Sequence, residues 1–150
     1  LFIDSDVLLF RPPLEAVKLI AAGQAFHLAD CDSFYGAAVD ALSGIAGCAV
    51  DPKVNSGFYF HDVDAIDWDF VEHAARRQLA GFGFSYFIEQ SLQAMLFARA
   101  GTIPLGSDYL VLPSTEECAR PTRVLHHYVN QSRWAFYVNA WRQHQRLQTA

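Results

Sequence analysis

Apolar positions along the chain fall into short strand-like runs and longer stretches of helical period. Residues 1–10, Leu-Phe-Ile-Asp-Ser-Asp-Val-Leu-Leu-Phe, are apolar on both sides of two acids, the pattern of a strand lying inside a sheet. Pro12 and Pro13 open a helix that Gly23 closes, and Leu14, Val17, Leu19 and Ile20 give it an apolar face. A short strand is predicted over 25–29, a partly helical loop over 30–47, and a strand over Val54–Phe60. Helical spacing returns over 64–79, with Ile66, Phe70, Val71 and Ala74 inward. Gly81 and Gly83 then break the chain before a helix over 85–100 that ends at Gly101. Within it Ile88, Leu92, Met95 and Leu96 recur at i, i+4, i+7 and i+8, the mark of a buried face. Short strands are predicted over 102–105, 109–112 and 122–129. A final amphipathic helix over 132–147 carries Trp134, Val138 and Trp141 on one face. Strands alternating with helices predict an α/β domain.

Composition narrows the function classes. With 150 residues, 52% of them hydrophobic, the chain is one domain with ample material for a core. A net charge of −5 argues against binding nucleic acid through bulk electrostatics. Cys31, Cys48 and Cys118 form no Cys-x-x-Cys pair, so they read as buried thiols rather than a disulfide framework or a zinc site. No apolar run approaches the ~20 residues needed to span a bilayer and no signal peptide is visible, so a cytoplasmic location is expected. A core strand starting at Leu1 itself, with no initiating Met, predicts that these residues are the C-terminal part of a longer domain.

Four clusters carry candidate chemistry. Asp4 and Asp6, at i and i+2 on extended backbone, point the same way and can reach one metal ion or one ligand. Asp-x-Asp also occurs in loops as an Asx-turn pair. Asn55-Ser56-Gly57 leads into an apolar strand, where Gly57 permits close backbone approach and Asn55 and Ser56 offer hydrogen bonds; a plain turn has the same composition. Glu89-Gln90 lies in the helix over 85–100, where Glu89 is either solvated or lining a cleft. His126 and His127 end an apolar strand and face opposite sides, so one of them points toward a site.

In this order the clusters resemble the C-terminal half of a GT-A-type nucleotide-sugar glycosyltransferase, similar to glycosyltransferase family 8, over nearly the whole chain. The resemblance implies a partial GT-A fold, a mixed central sheet flanked by helices, with the N-terminal nucleotide-binding strands upstream. It implies that Asp4 and Asp6 bind a divalent metal, Asp4 also touching the donor. It implies further that Asn55, Ser56 and Gly57 contact the donor sugar and that Glu89 and Gln90 lie beside it. A late His-aromatic-x-Gly-x-x-Lys-Pro-Trp segment matches His127-Tyr128-Val129-Asn130-Gln131-Ser132-Arg133-Trp134. That register favours His127 over His126 as third metal ligand and puts Arg133 at the diphosphate. Asn130 stands where glycine is expected, the proline is missing and tryptophan comes one place early.

The chemistry is coherent on its own terms. Breaking a sugar–diphosphate bond leaves negative charge that a divalent ion and an arginine neutralise. Mixed oxygen and nitrogen ligands suit Mn²⁺ better than Mg²⁺. The expected partners are a nucleotide-diphosphate sugar and an acceptor (sugar, lipid or protein) that the sequence does not specify. A haloacid-dehalogenase-like phosphatase also begins with hydrophobic-Asp-x-Asp, which would make Asp4 a nucleophile. It needs a downstream lysine and a late acidic pair, whereas the only lysines are Lys18 and Lys53. A non-catalytic binding module on the same scaffold is the third reading.

Overall fold

A computed structural model describes residues 1–148 as a mixed α/β fold. Its elements in chain order are β1 (Phe2–Ile3), β2 (Val7–Leu9), α1 (Leu14–Ala21), β3 (Phe26–Ala29), α2 (Val39–Ala46), β4 (Val54–Phe60), α3 (Trp68–Phe82) and α4 (Ile88–Ala100). There follow β5 (Ile103–Pro104), β6 (Tyr109–Val111), α5 (Thr115–Ala119), β7 (Leu125–His127), α6 (Arg133–Ala135) and α7 (Trp141–Gln148). Among the described residues no helix is long and apolar enough to cross a membrane.

Instead of one central sheet there are two, both mixed: β1-β4-β3-β5 and β2-β7-β6. The chain crosses between them at Asp4-Ser5-Asp6. This segment leaves β1, turns with Val7 N–H donating to the Asp4 carbonyl, and enters β2 beside β7. The expected single interior strand over residues 1–10 is therefore two short strands. β1 is an edge strand with Phe2 and Ile3 exposed, because the acids and Ser5 favour a turn over continued extension.

Phe26, Leu28, Phe58, Tyr109, Val111 and Leu125 join the two sheets in one core cluster, which α1 closes with Ala16. Leu14 and Val17, assigned to the buried face of α1, are exposed, and Leu19 and Ile20 do the packing. Gly23, at φ 67°, lets Gln24 N–H return to Leu19 and end the helix. A second cluster, including Leu42, Val54, Ala74, Met95 and Phe97, packs α2, α3 and α4 on the other side of β4. α3 starts four residues later than the periodicity predicts. Asp67 caps it by accepting from Phe70 N–H at 2.9 Å, and a 3₁₀ turn over Val63–Ala65 precedes it. At the C-terminal end Trp134, Val138 and Trp141 are exposed rather than inward. The helix widens into a π turn over Phe136–Ala140, which rotates the inward side to Ala140 and Phe136.

α5 was not legible, and it carries the polar network beneath β7. Glu117 accepts from Thr122 N–H at 2.6 Å, Thr122 Oγ1 at 2.8 Å, Arg123 N–H at 2.9 Å and His126 Nε2 at 2.9 Å. The Tyr128 hydroxyl donates to His126 Nδ1 at 3.0 Å. Burial opposes the charge on Glu117, but these donors hold its pKa at about 2 against an ordinary 4.5. A depressed carboxylate stabilises the fold above its unfolded pKa and loses that contribution as pH falls through the folded value. Glu117→Gln should therefore cost about 2 kcal/mol at pH 7. In denaturant unfolding the difference from wild type should shrink as pH drops from 5 toward 2; an equal loss at both ends would refute the assignment.

Candidate metal centre and cleft

The site forms where the C-terminal ends of β1, β3 and β7 meet the N-terminal end of antiparallel β4, a common position for ligands of open α/β sheets. β4 is irregular at this point. Tyr59 pairs with His27 and Asn55 with Leu28, so Ser56, Gly57 and Phe58 have no counterpart on β3. On the other edge of β4, Asp4 N–H donates to Gly57 O at 2.8 Å and continues the pairing with β1, which fixes the first acid against the strand.

Asp4, Asp6 and His127 converge, with one ligand atom from each lying within 4.8 Å of the others. His127 Nε2 is 3.2 Å from Asp6 Oδ1 and 3.6 Å from Asp4 Oδ2. On the other side of the ring, Nδ1 lies 2.8 Å from Asn55 Oδ1. Asn55 is oriented by its own partners: Oδ1 accepts from Gly57 N–H at 2.9 Å and Nδ2 donates to Asp30 Oδ2 at 2.9 Å. Nδ1 of His127 must then carry the hydrogen. Burial pushes His127 below the usual imidazole range, against the upward pull of Asp6 and Asp4, so the ring is neutral. Its Nε2 lone pair thus faces two carboxylates. Burial also raises Asp4, reinforced by Asp6 and Glu89 and opposed by His127. Three such groups directed at one point could hold a metal ion, and their donor set fits a divalent ion with mixed nitrogen and oxygen ligands.

Of the two histidines, His126 is bound to Glu117 and Tyr128, and His127 faces the acids. Arg133 Nη2 donates to Asp6 Oδ2 at 3.0 Å and is half-exposed, so it presents positive charge beside the acids. A cleft of about 300 Å³ opens above this centre and is lined by Asp4, Asp6, Ser56, Glu89, Gln90 and Arg133 among others. Gln90 uses its amide NH₂ on Phe34 O at 3.1 Å and Asp30 Oδ2 at 3.3 Å, leaving its carbonyl oxygen for a ligand. Gly57 is not on the cleft wall. It packs under the His127 ring, where a β-carbon would overlap the imidazole.

Sequence reasoning missed Asp30, Phe34, Tyr86, Phe87 and Asn130, all on the wall. Asp30 was findable: it is an acid directly after the short strand over 25–29, just as Asp4 follows Ile3. Asn130 adopts φ 48°, the left-handed region that glycine enters freely and asparagine tolerates.

Because Asn55 sets the tautomer of His127, Asn55→Leu should weaken Mn²⁺ binding 10–100-fold, the usual cost of losing such a partner. Titration followed by the electron paramagnetic resonance of free Mn²⁺ measures this. No family model, curated protein or solved structure matches the chain.

Proposed function

We propose that this chain is a metal-dependent glycosyltransferase domain, moving a sugar from a nucleotide-diphosphate donor to an acceptor hydroxyl. One observation carries the reading: Asp4, Asp6 and His127 converge in a cleft that also holds Arg133 and the Glu89–Gln90 pair. Asn130 is in keeping with it, since at the place where the resembled family has glycine it adopts the left-handed region that glycine enters freely. The cleft volume, about 300 Å³, is at the small end for an organic ligand and matches the sugar–diphosphate end of a donor rather than the whole of it.

A divalent ion at the three ligands, Mn²⁺ before Mg²⁺, would neutralise charge on the departing diphosphate. Arg133 adds a second positive charge there. As the anomeric carbon–oxygen bond breaks, its electron pair leaves with the diphosphate. The acceptor oxygen bonds the anomeric carbon, and its proton passes to the Glu89 carboxylate. The Gln90 carbonyl oxygen stabilises positive charge developing on the sugar ring. The cation of the cleft is Arg133 and neither lysine lines it, which favours this reading over the phosphatase.

The test is release of nucleoside diphosphate from a panel of nucleotide sugars with Mn²⁺ by the full-length protein, since the resemblance places the nucleotide-binding strands upstream of these residues. Glu89→Gln and Gln90→Ala should each lower turnover about 100-fold while Mn²⁺ affinity holds. If wild type turns over no donor, the reading falls, and a covalent phospho-Asp4 trapped during turnover would establish the phosphatase.

A further inference from the structure

The helical segment that begins at Arg133 and ends with α7 has two unlike sides. Ala135, Phe136 and Ala140 are turned inward and pack with Cys118, Tyr128 and Leu8. The other side is apolar and uncovered. Trp134 is 74% exposed and Tyr137 66%, and Val138 and Trp141 are exposed with them, at a spacing of i, i+3, i+4 and i+7. Trp134 and Val138 also line a trough of about 550 Å³ against α5, where Pro113 and Ala119 continue the apolar surface. Exposed apolar surface of this extent marks a place where something docks.

Charge says what docks there. The chain carries −5 overall, yet residues 118–150 hold five arginines and no acid. Arg123 and Arg133 are engaged with Asp108 and Asp6. Arg142 and Arg146 are exposed on the same helix as the stripe, and the Arg142 guanidinium lies 5.5 Å from the centre of the Trp141 ring. Arg120, also exposed, follows directly on Ala119 of the trough. Indole and phenol rings beside arginines are the composition of helices that lie in a membrane interface. There the rings sit at headgroup depth and the guanidinium groups meet lipid phosphates. A second copy of the chain docked helix to helix would instead bring the same arginines face to face. The acids elsewhere in the molecule do not prevent approach, since salt screens them beyond about 8–10 Å.

We propose that this stripe is a membrane-docking face whose occupant is the surface of an anionic lipid bilayer. Trp134, Tyr137 and Trp141 enter the headgroup layer, and Arg142 and Arg146 bind lipid phosphates. The inference is independent of the glycosyltransferase reading, because it uses neither the metal centre nor the cleft. It does orient the cleft: Arg133, on the cleft wall, lies near both Tyr86 and Tyr137, so docking brings the mouth beside the headgroups.

The probe is a pair of vesicle preparations, pure phosphatidylcholine and an equimolar mixture with phosphatidylglycerol, added to the full chain. A Trp68→Phe background leaves Trp134 and Trp141 as the only indoles. With the anionic vesicles their emission should shift to shorter wavelength and be quenched by brominated lipid, and both effects should fade as salt is raised. In vesicle flotation, Trp134→Ala/Trp141→Ala should weaken partitioning at least about tenfold. Arg142→Gln/Arg146→Gln should weaken it roughly 30-fold on anionic vesicles, at about a factor of five for each arginine near the surface. All four positions are exposed, and circular dichroism with denaturant unfolding should show the fold intact. No binding, equal binding to both preparations, or binding undiminished in the tryptophan variant would overturn the proposal. So would a dimer, seen by light scattering, that the tryptophan variant dissolves while vesicles remain unbound; the stripe would then belong to a second copy.

Discussion

Asp6→Ala should abolish sugar transfer and lower Mn²⁺ affinity by more than about 100-fold, beyond what losing an outer partner costs. Asp6 is the busiest residue of the centre. One carboxylate oxygen faces His127 Nε2 at 3.2 Å and the other accepts from Arg133 at 3.0 Å, so truncation removes a ligand and releases the guanidinium together. The fold should survive. The structural contribution of Asp6 is its carbonyl, which accepts from Tyr128 N–H at 3.0 Å and is kept in any substitution. Asp6→Asn separates charge from shape: it preserves the hydrogen bond from Arg133 but halves the carboxylate charge facing His127. Both variants should fail in the nucleotide-sugar assay with Mn²⁺ present, with unfolding transitions close to wild type. Activity that survives Asp6→Ala and exhaustive chelation would sink the metal mechanism.

The parts of this site that were legible in the sequence are those whose chemistry is local. Two acids one residue apart, a histidine after an apolar strand and an acid–amide pair on a helix are visible without knowing the partners. Asp4 and Asp6 come together as expected, although the premise changed. They sit on a turn between two sheets rather than on one strand, and what aligns them is the Asp4 N–H bond to Gly57 together with the pairing of β2 and β7. Val54–Phe60 was legible because seven residues of strand composition are bounded by turn residues on both sides. Its bulge was not, since a register shift depends on the partner strand. The choice between His126 and His127 likewise needed α5, a five-residue helix too short for periodicity to mark, whose Glu117 claims His126. The exposed face of Trp134, Val138 and Trp141 was misplaced for a related reason: one π turn shifts the helical phase, and a regular 3.6-residue wheel cannot represent it.

Gly57→Ala should cost about 1–3 kcal/mol of stability, the usual penalty for overpacking, and weaken Mn²⁺ binding as much as His127→Ala is expected to. The reason is contact and not backbone conformation. The added methyl would occupy the space of the imidazole, with Cε1, Nδ1 and Nε2 all too near for a β-carbon. The strand has little freedom to retreat. Gly57 O is bound by Asp4 N–H at 2.8 Å, its N–H is bound to Asn55 Oδ1 at 2.9 Å, and β1 pairs with β4 at Phe58 and Tyr59. The ring must then swing, which breaks its 2.8 Å bond to Asn55 and takes Nε2 away from the acids. The double variant Gly57→Ala/His127→Ala tests the cause. With the ring gone the methyl has room, so the double variant should be no less stable than His127→Ala alone, while Mn²⁺ binding stays lost. Denaturant unfolding of the four proteins together with Mn²⁺ titration closes the cycle. Full Mn²⁺ affinity in Gly57→Ala would mean that His127 is not the ligand the three-residue cluster requires.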